Sequence, residues 1–335
     1  MSPVSTGGVR IKNRNEAVLA LLEEARGRYF SGEEMALRLS VSRAAVWKAV
    51  RALRDEGYAI AAAPNRGYAL AETADILSAS GIRKHLAGDA AALRVETQER
   101  VSSTNTVLKE RAAAGEPAGA VLVAGEPTTG RGRMGRGFFS PGGTGLYLSM
   151  LLRPHEAPGE AALITAAAAV AVAETVEAVS GKETGIKWVN DVYLGGKKIC
   201  GILTEAGVNL ESGALDYAVL GIGVNVYAPA GGFPDGLADT AAAIFEAPRF
   251  DLRSRLAAEI LNRVTPLCAD LSARRFVPAY RRRSLVLGRE IQILSGGETG
   301  RALALSVDDD CRLRVRYPDG REALLSAGEV SIRLN

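Results

Sequence analysis

The chain has 335 residues, 47% apolar and 24% charged, enough apolar material for two or three domains with cores of their own, which excludes a mainly disordered protein. A net charge of +3 is too small to mark the whole molecule as a nucleic-acid binder. The distribution says more: residues 1–70 hold 11 Lys/Arg against 7 Asp/Glu, a balance of +4, which leaves 30 against 31, or −1, for the remaining 265.

Between Asn15 and Leu70 the pattern predicts three helices and a hairpin. Val18, Leu21, Leu22 and Ala25 recur at helical spacing, and Gly27 ends the run. Ser31 can cap a second helix with Glu34 three residues on, and Ala36, Leu37 and Leu39 are expected on its buried side. After the turn Ser40-Val41, Ser42 starts a third helix in which Val46, Val50 and Leu53 face the core, opposite Arg43, Trp47, Lys48, Arg51 and Arg54. Tyr58–Ala63 and Gly67–Leu70 then read as short strands around a Pro-Asn-Arg-Gly turn. This is the order of a winged helix-turn-helix, whose third helix enters the major groove. Ser42, Arg43, Lys48 and Arg51 are placed to meet bases or phosphates, and Arg66 at the wing tip to meet the backbone or minor groove. The Trp47 ring can lie against a duplex or a neighbouring domain, and the bland reading of the whole stretch is a solvated helix face in a protein-interaction module. Ala71–Ser80 has no apolar period and reads as a linker.

From Leu93 onward, strand-like runs alternate with helices, which predicts an α/β or α+β domain with a mixed sheet. Strand Leu93–Glu99 leads into Ser102-Ser103-Thr104-Asn105 and a helix to about Ala113, so hydroxyl and amide groups stand at a helix N-terminus; an ordinary cap has the same form. Between strand Ala120–Ala124 and the apolar run Leu146–Leu152, Gly130-Arg131-Gly132-Arg133-Met134-Gly135-Arg136-Gly137 alternates glycine with arginine. Glycines let backbone N–H groups approach an anion and arginines supply forked, permanent donors, so the loop suits phosphate or carboxylate. It lacks the GK[ST] ending of a Walker A loop and does not open a helix as a Rossmann GxGxxG does; an RGG-type nucleic-acid segment is the competing reading. Gly185–Leu194 is read as one alternating strand, with Lys187, Val189 and Asp191 on one face and Trp188, Asn190 and Val192 on the other, turned back by Gly195-Gly196 into Lys198–Glu205. A lysine in a sheet interior is costly unless paired, which makes Lys187 a functional candidate; an edge-strand lysine that keeps the sheet soluble is the alternative. Strand Leu215–Val226 carries Gly221-Ile222-Gly223-Val224-Asn225, small residues that let a ligand or another backbone approach.

From about Leu285, five short strands separated by SGGETG, DDD and PDG turns predict a small β-barrel. Cys200, Cys268 and Cys311 are too few and too scattered for a disulfide framework or a CxxC site, which fits a reducing cytoplasm. Two histidines, His85 and His155, leave little for a catalytic triad or a zinc site. MSPVSTGGVR lacks the apolar core of a signal peptide, and Ala161–Val179, interrupted by Thr165, Glu174, Thr175 and Glu177, reads as a core helix, so no membrane partner is expected.

Together, SSTN at 102–105, GRGRMGR at 130–136, KWVND at 187–191, KKICGIL at 197–203 and GIGVN at 221–225 resemble the ordered motifs of biotin protein ligases, and with the N-terminal module the chain resembles the bifunctional ligase/repressor type. The resemblance runs from about residue 14 to 335 and implies an α+β multidomain protein: winged helix-turn-helix at 14–70, linker at 71–80, a mixed-sheet ligase domain similar to class II aminoacyl-tRNA synthetases at 81–284, and an SH3-like domain at 285–335. It implies that biotin and MgATP give biotinyl-5′-adenylate and pyrophosphate, after which a lysine of biotin carboxyl carrier protein attacks the mixed anhydride. By match to the motifs, biotin is held by Ser103, Thr104, Asn105, Arg131, Gly132, Arg133, Lys187 and Gly201. Arg133, Arg136, Phe138, Asn190, Asn225 and Arg333 are implied at the ATP or adenylate, with Gly223 lining the cleft, Lys187, Arg131 and Arg133 catalytic, and Mg²⁺ bound through the nucleotide and Asp191. Operator DNA and a homodimer formed through the central sheet are the further implied partners, with the adenylate as corepressor. Three positions depart from the family pattern: Pro127 for a glutamine, Phe138 for a tryptophan and Val189 for a proline. Two alternatives share these residues: a biotin-responsive regulator with weak or no ligase activity, and a ligase for a related acyl group such as lipoate.

Overall fold

The computed structural model describes residues 14–55, 58–71, 75–154, 161–208, 215–295, 298–326 and 329–331. At the N-terminus, α1 (Arg14–Glu24), α2 (Gly32–Leu39) and α3 (Arg43–Asp55) pack with the hairpin of β1 (Ile60–Ala63) and β2 (Gly67–Leu70). Their shared core includes Val18, Leu22, Phe30, Met35, Val46, Val50 and Leu53. The caps form as the sequence predicts: Ser31 Oγ accepts from Glu34 N at 3.0 Å and Ser42 Oγ from Ala45 N at 3.2 Å. One expectation is corrected. Leu37 is 82% exposed, and Met35 with Ala36 takes the buried side of α2. At 100° per residue the run Met35-Ala36-Leu37 cannot all face inward, and the i, i+1, i+4 stripe of Met35, Ala36 and Leu39 meets the core instead.

The segment read as a linker is tied down at its C-terminal end. Asp75 accepts from Arg253 Nε and from Tyr227 Oη, both at 2.7 Å, and Ser254 Oγ donates to Ile76 O at 2.6 Å. Ser78 caps α4 (Ala79–Arg83), which begins inside the 71–80 stretch. Arg26 at the end of α1 pairs with Asp251 at 2.8 Å, and Ser78 Oγ and Ser80 Oγ both donate to Glu23. The N-terminal unit is thus held to the central one by buried polar pairs.

Seven strands build the central sheet, with α5 (Thr104–Ala113) on one face: β3 (Arg94–Val101), β4 (Ala120–Pro127), β5 (Gly145–Leu152), β6 (Thr184–Lys187), β7 (Asp191–Leu194), β8 (Lys197–Val208) and β9 (Leu215–Asn225). Their order is β3-β4-β5-β9-β8-β7-β6, with β3 and β4 parallel and every other pair antiparallel, so the sheet is mixed as predicted. Alternation sorts the strands: Leu122, Leu151 and Val219 pack towards α5 with Leu108 and Ala112, while Val121, Val123, Leu148 and Met150 join the main core. α6 (Ala161–Ser180) and α7 (Leu252–Ala269) pack in that core, followed by α8 (Val277–Arg283). α6 is the described helix long and apolar enough to cross a bilayer, yet 72% of its apolar window is buried within the fold.

The single strand expected at 185–194 is corrected to two. Trp188-Val189-Asn190 turns back between β6 and β7, placing Lys187 opposite Asp191. Tertiary anchors hold this turn: Trp188 Nε1 donates to Cys311 O at 2.8 Å and Tyr280 Oη to Val189 O at 3.1 Å. The apolar–polar alternation runs through the turn, so the sequence pattern alone conceals it.

In the C-terminal unit, β10 (Glu290–Ser295), β11 (Glu298–Val307), β12 (Leu313–Arg316), β13 (Glu322–Leu325) and β14 (Glu329–Ser331) form an antiparallel sheet in the order β13-β12-β11-β10-β14. Among the described residues the five predicted strands form one antiparallel sheet, with β13 and β14 at the ends of its order.

Candidate active site and nucleic-acid face

A cleft of about 270 Å³ opens over the middle of the central sheet. Three sequence segments that are far apart in the chain meet there: the N-terminus of α5, the Gly-Arg loop and the β6–β7 turn. Ser103, Thr104 and Asn105 line one end and are all buried. Ser103 is also a cap, its Oγ accepting from Thr106 N at 3.4 Å, so the capping and lining roles coexist. Asn105 Nδ2 donates to Glu205 Oε2 at 2.9 Å and Leu203 O at 3.2 Å, and its Oδ1 accepts from Ser149 Oγ at 2.6 Å.

The Gly-Arg loop closes on itself. Thr128 N and Thr129 N tie its start to Val101 O and Ser102 O, both at 2.8 Å; further along, Gly132 N donates to Arg136 O at 2.7 Å and Phe138 N to Gly130 O at 2.9 Å. Arg131 and Arg136 are exposed along this hairpin, while Arg133 is half-buried and donates from Nη1 to Asn190 Oδ1 at 3.1 Å. Asn190 in turn donates from Nδ2 to Ile202 O at 3.0 Å, so its amide orients Arg133 against β8. Pro127, where the family pattern has glutamine, is buried and accepts from Ser140 Oγ through its carbonyl at 2.8 Å, holding the far end of the loop.

At the other end of the cleft, Lys187 projects from the edge of β6 opposite Asp191. Asp191 Oδ1 lies 2.7 Å from Lys198 Nζ. The contact is off the hydrogen-bonding angle, so Oδ1 is compensated by charge and has no directed donor. Phe138 lies over the glycines of β8 and β9: a Cβ on Gly223 would fall 2.9 Å from its ring, and one on Gly201 3.2 Å. These glycines are required by close approach. Tyr147 meets the Phe138 ring edge-on at 6.4 Å, and burial pushes its phenol up to about 12.

The cleft therefore brings together Ser103, Thr104, Asn105, Arg131, Gly132, Arg133, Arg136, Phe138, Lys187, Asn190, Asp191, Gly201 and Gly223. Asn225 stands apart from the lining, its Nδ2 donating to Ala242 O at 3.1 Å. Arg333 lies outside the described residues. Sequence reasoning missed Lys198, Ser149 and Leu237. Lys198 and Leu237 line the cleft, and Ser149 bonds to two of the residues that do. The doubled lysine after Gly195-Gly196 is a usable signal for Lys198. Ser149 is a single polar residue in an apolar strand, and Leu237 sits in a loop without a motif.

On the N-terminal unit, Arg43, Trp47, Lys48 and Arg51 are exposed along one face of α3, with the Arg51 guanidinium 5.7 Å from the Trp47 ring. Arg66 at the wing lies 4.2 Å over the Tyr29 ring. Arg54 is exposed as expected, and it also donates from Nε and Nη2 to Ile60 O at 2.8 and 2.6 Å, which closes the helix onto the wing.

Three family patterns match in chain order: HTH domain at 14–69, Biotin/lipoate A/B protein ligase family at 97–225 and Biotin protein ligase C terminal domain at 286–333. The bifunctional ligase/repressor BirA of Bacillus spizizenii is 33% identical over 92% of this chain and 96% of its own length. The biotin–[acetyl-CoA-carboxylase] ligase of Mycobacterium tuberculosis is 34% identical over 76% of this chain and 95% of its own. The biotin protein ligase from Aquifex aeolicus in complex with biotin and ATP superimposes with a TM-score of 0.59 at 27% identity, covering 72% of this chain and 99% of that one. With these three units in this order and a relative matched over nearly its full length, the chain belongs to the bifunctional biotin ligase/repressor family.

Proposed function

We propose that this protein activates biotin with MgATP, forming biotinyl-5′-adenylate and pyrophosphate, and transfers the biotinyl group to a lysine of biotin carboxyl carrier protein, the carrier subunit of acetyl-CoA carboxylase. The observation that carries this reading is the single cleft in which Lys187, the Gly-Arg loop and the buried Ser103-Thr104-Asn105 set converge. In the first step a biotin carboxylate oxygen attacks the α-phosphorus of ATP; the new P–O bond replaces the bond to pyrophosphate, which leaves. Lys187 and Arg133 act as fixed cations in a half-enclosed site, where they offset charge on the carboxylate and the phosphoryl oxygens. Arg131 and Arg136 carry further donors on the loop, and the Phe138 ring supplies an apolar surface for the adenine. In the second step the carrier ε-amine attacks the acyl carbon; the C–N bond forms, the C–O bond to AMP breaks and the amine proton passes to solvent. No protein nucleophile is required.

Mg²⁺ fits this cleft as the companion of the nucleotide. Asp191 is the one carboxylate among the described cleft residues, its Oδ1 has no directed donor, and no three metal-binding side chains cluster among the described residues. Asp191 would add one oxygen to an ion carried by the phosphates, which is how Mg²⁺ is commonly held, and the ion would neutralise charge on the departing pyrophosphate.

The N-terminal unit is read as the operator-binding part of a repressor of biotin genes. The exposed basic face of α3 and the wing support this, and the adenylate is the ligand that reports biotin status. We place the homodimer contact at the exposed edge strand β3 and the protein in the cytoplasm, where Cys200 and Cys311 remain buried thiols. Biotin-dependent exchange of labelled pyrophosphate into ATP tests the first step. The protein should support exchange, and Lys187→Ala should lose about 100-fold or more. Exchange that does not depend on biotin, or that lipoate supports better, would contradict the reading.

A further inference from the structure

Resting on the repressor reading, we infer that Trp47 of α3 sets part of the operator sequence, its indole packing on the 5-methyl group of a thymine in the major groove.

Trp47 stands at the middle of the outer face of α3. From Arg43 to Arg51 the exposed residues are Arg43, Ala44, Trp47, Lys48 and Arg51, a spacing of i, i+1, i+4, i+5 and i+8 that makes one helical stripe. Val46, Ala49, Val50 and Leu53 take the core on the opposite side, each at most 2% exposed. The fold of the unit therefore asks for no large apolar side chain at position 47, yet the ring there is 51% exposed. Arg43 and Arg51 lie one turn away on either side, and the Arg51 guanidinium is 5.7 Å from the ring centre, which holds the indole upright between two cations.

A groove of about 790 Å³ lies beside the ring, bounded by α3, the start of α2 and the wing turn at Pro64 and Asn65. Glu33 is the one carboxylate among its described lining residues, and Arg43, Lys48 and Arg51 give this face three cations against it. That is the charge complementarity a duplex needs.

The surface that the stripe enters decides what the ring meets. In an intact duplex the faces of the bases are stacked and closed to a side chain. The edges open to the major groove are hydrogen-bond donors and acceptors, and the thymine methyl is the apolar group among them. An indole placed there gains apolar burial only where that methyl lies against it. The flanking arginines and lysine can take guanine edges or phosphates, which leaves apolar readout to the residue between them. Trp47 is thus a specificity-determining residue that favours thymine over cytosine, whose edge carries an amine and no methyl, and it adds nothing to phosphate contact.

The test uses the full-length protein with biotinyl-5′-adenylate and duplex sites that it selects from a random-sequence pool. Each thymine of a selected site is replaced in turn by deoxyuridine, which removes the methyl and keeps every hydrogen-bonding atom. At one thymine for each bound α3 this should weaken binding about fourfold, the worth of one buried methyl group. Trp47→Ala places a good helix former at an exposed position. It should bind the unmodified site about tenfold more weakly, respond less than about twofold to the same replacement, and keep the wild-type slope of log affinity against log salt. Of the two tryptophans, Trp188 is 3% exposed, so acrylamide quenching of fluorescence reports on Trp47, and saturating selected DNA should protect it. A wild-type protein whose affinity no deoxyuridine lowers, or a Trp47→Ala protein that keeps the full penalty, overturns the inference. So does Trp47 fluorescence that stays fully quenchable with DNA bound. A wild-type protein that selects no sequence from the pool overturns the repressor reading itself.

Discussion

At the residue scale, the cleft works through side chains whose orientation is set by partners outside it. Asn190 holds both Arg133 and the carbonyl of Ile202. Asn190→Ala should lower the exchange rate about tenfold, and in a double-mutant cycle with Arg133→Ala the two losses should fall well short of additive, because both remove the same cation. Additive losses would mean that Asn190 acts independently of Arg133. Glu177 makes a comparable arrangement away from the cleft: it accepts from Arg283 Nη2 at 2.7 Å and Nε at 3.1 Å, and from Thr184 Oγ1 at 2.8 Å. The Arg283 hydrogen bonds lead in holding its carboxyl below the ordinary glutamate range. A depressed carboxyl contributes stability that is fully present above its unfolded value, about 4.3, and is lost as pH falls through the folded value. Glu177→Gln should therefore cost about 1 kcal/mol at neutral pH and flatten the decline in stability below about pH 4.3, read by urea titration across acid pH.

At the element scale, the α1–α7 junction joins the N-terminal unit to the central one through a buried ion pair. Arg26 and Asp251 have side chains 11% and 5% exposed, and His85 Nε2 shares Asp251 at 3.2 Å. Glu23 stands beside them with its carboxyl raised, chiefly by burial. Removing one member of a buried pair leaves the other charge uncompensated. Arg26→Ala should weaken docking of the N-terminal unit by about 3 kcal/mol, seen as a separate early transition on thermal unfolding and faster proteolysis near residues 71–80. A single transition with unchanged cleavage would contradict this account of the junction.

Much of this scale was legible in the sequence. The Ser31 and Ser103 caps, the wing turn and the strands around the Gly-Arg loop form where local chemistry puts them, because each is decided by residues a few positions apart. The β6–β7 turn was not legible, since Cys311 and Tyr280, more than ninety residues away, hold it. Within the cleft, motif residues could be found by type and spacing. Ser149 and Glu205 could not, because their roles exist only once β5 and β8 bring them to Asn105.

At the scale of the whole molecule, a basic reading unit is fixed to a ligand cleft within one chain. Lys48→Ala and Arg43→Ala should each weaken operator binding. A residue that contacts phosphate should also lower the slope of log affinity against log salt by about 1, whereas one that reads a base should relax sequence preference. Equal affinity and slope in both variants, measured by fluorescence anisotropy over a salt series, would remove α3 from the DNA interface. The ligase claim concerns the whole chain most directly, since it needs the cleft, the loop and access for a carrier protein. The measurement that tests it is the intact mass of a biotin carboxyl carrier domain after incubation with this protein, biotin and MgATP, beside the same reaction with Lys187→Ala. The account predicts one added biotinyl group with the wild-type protein and none with the variant over the same time. An unchanged carrier mass with folded wild-type protein, using a carrier that another biotin ligase modifies, would contradict it.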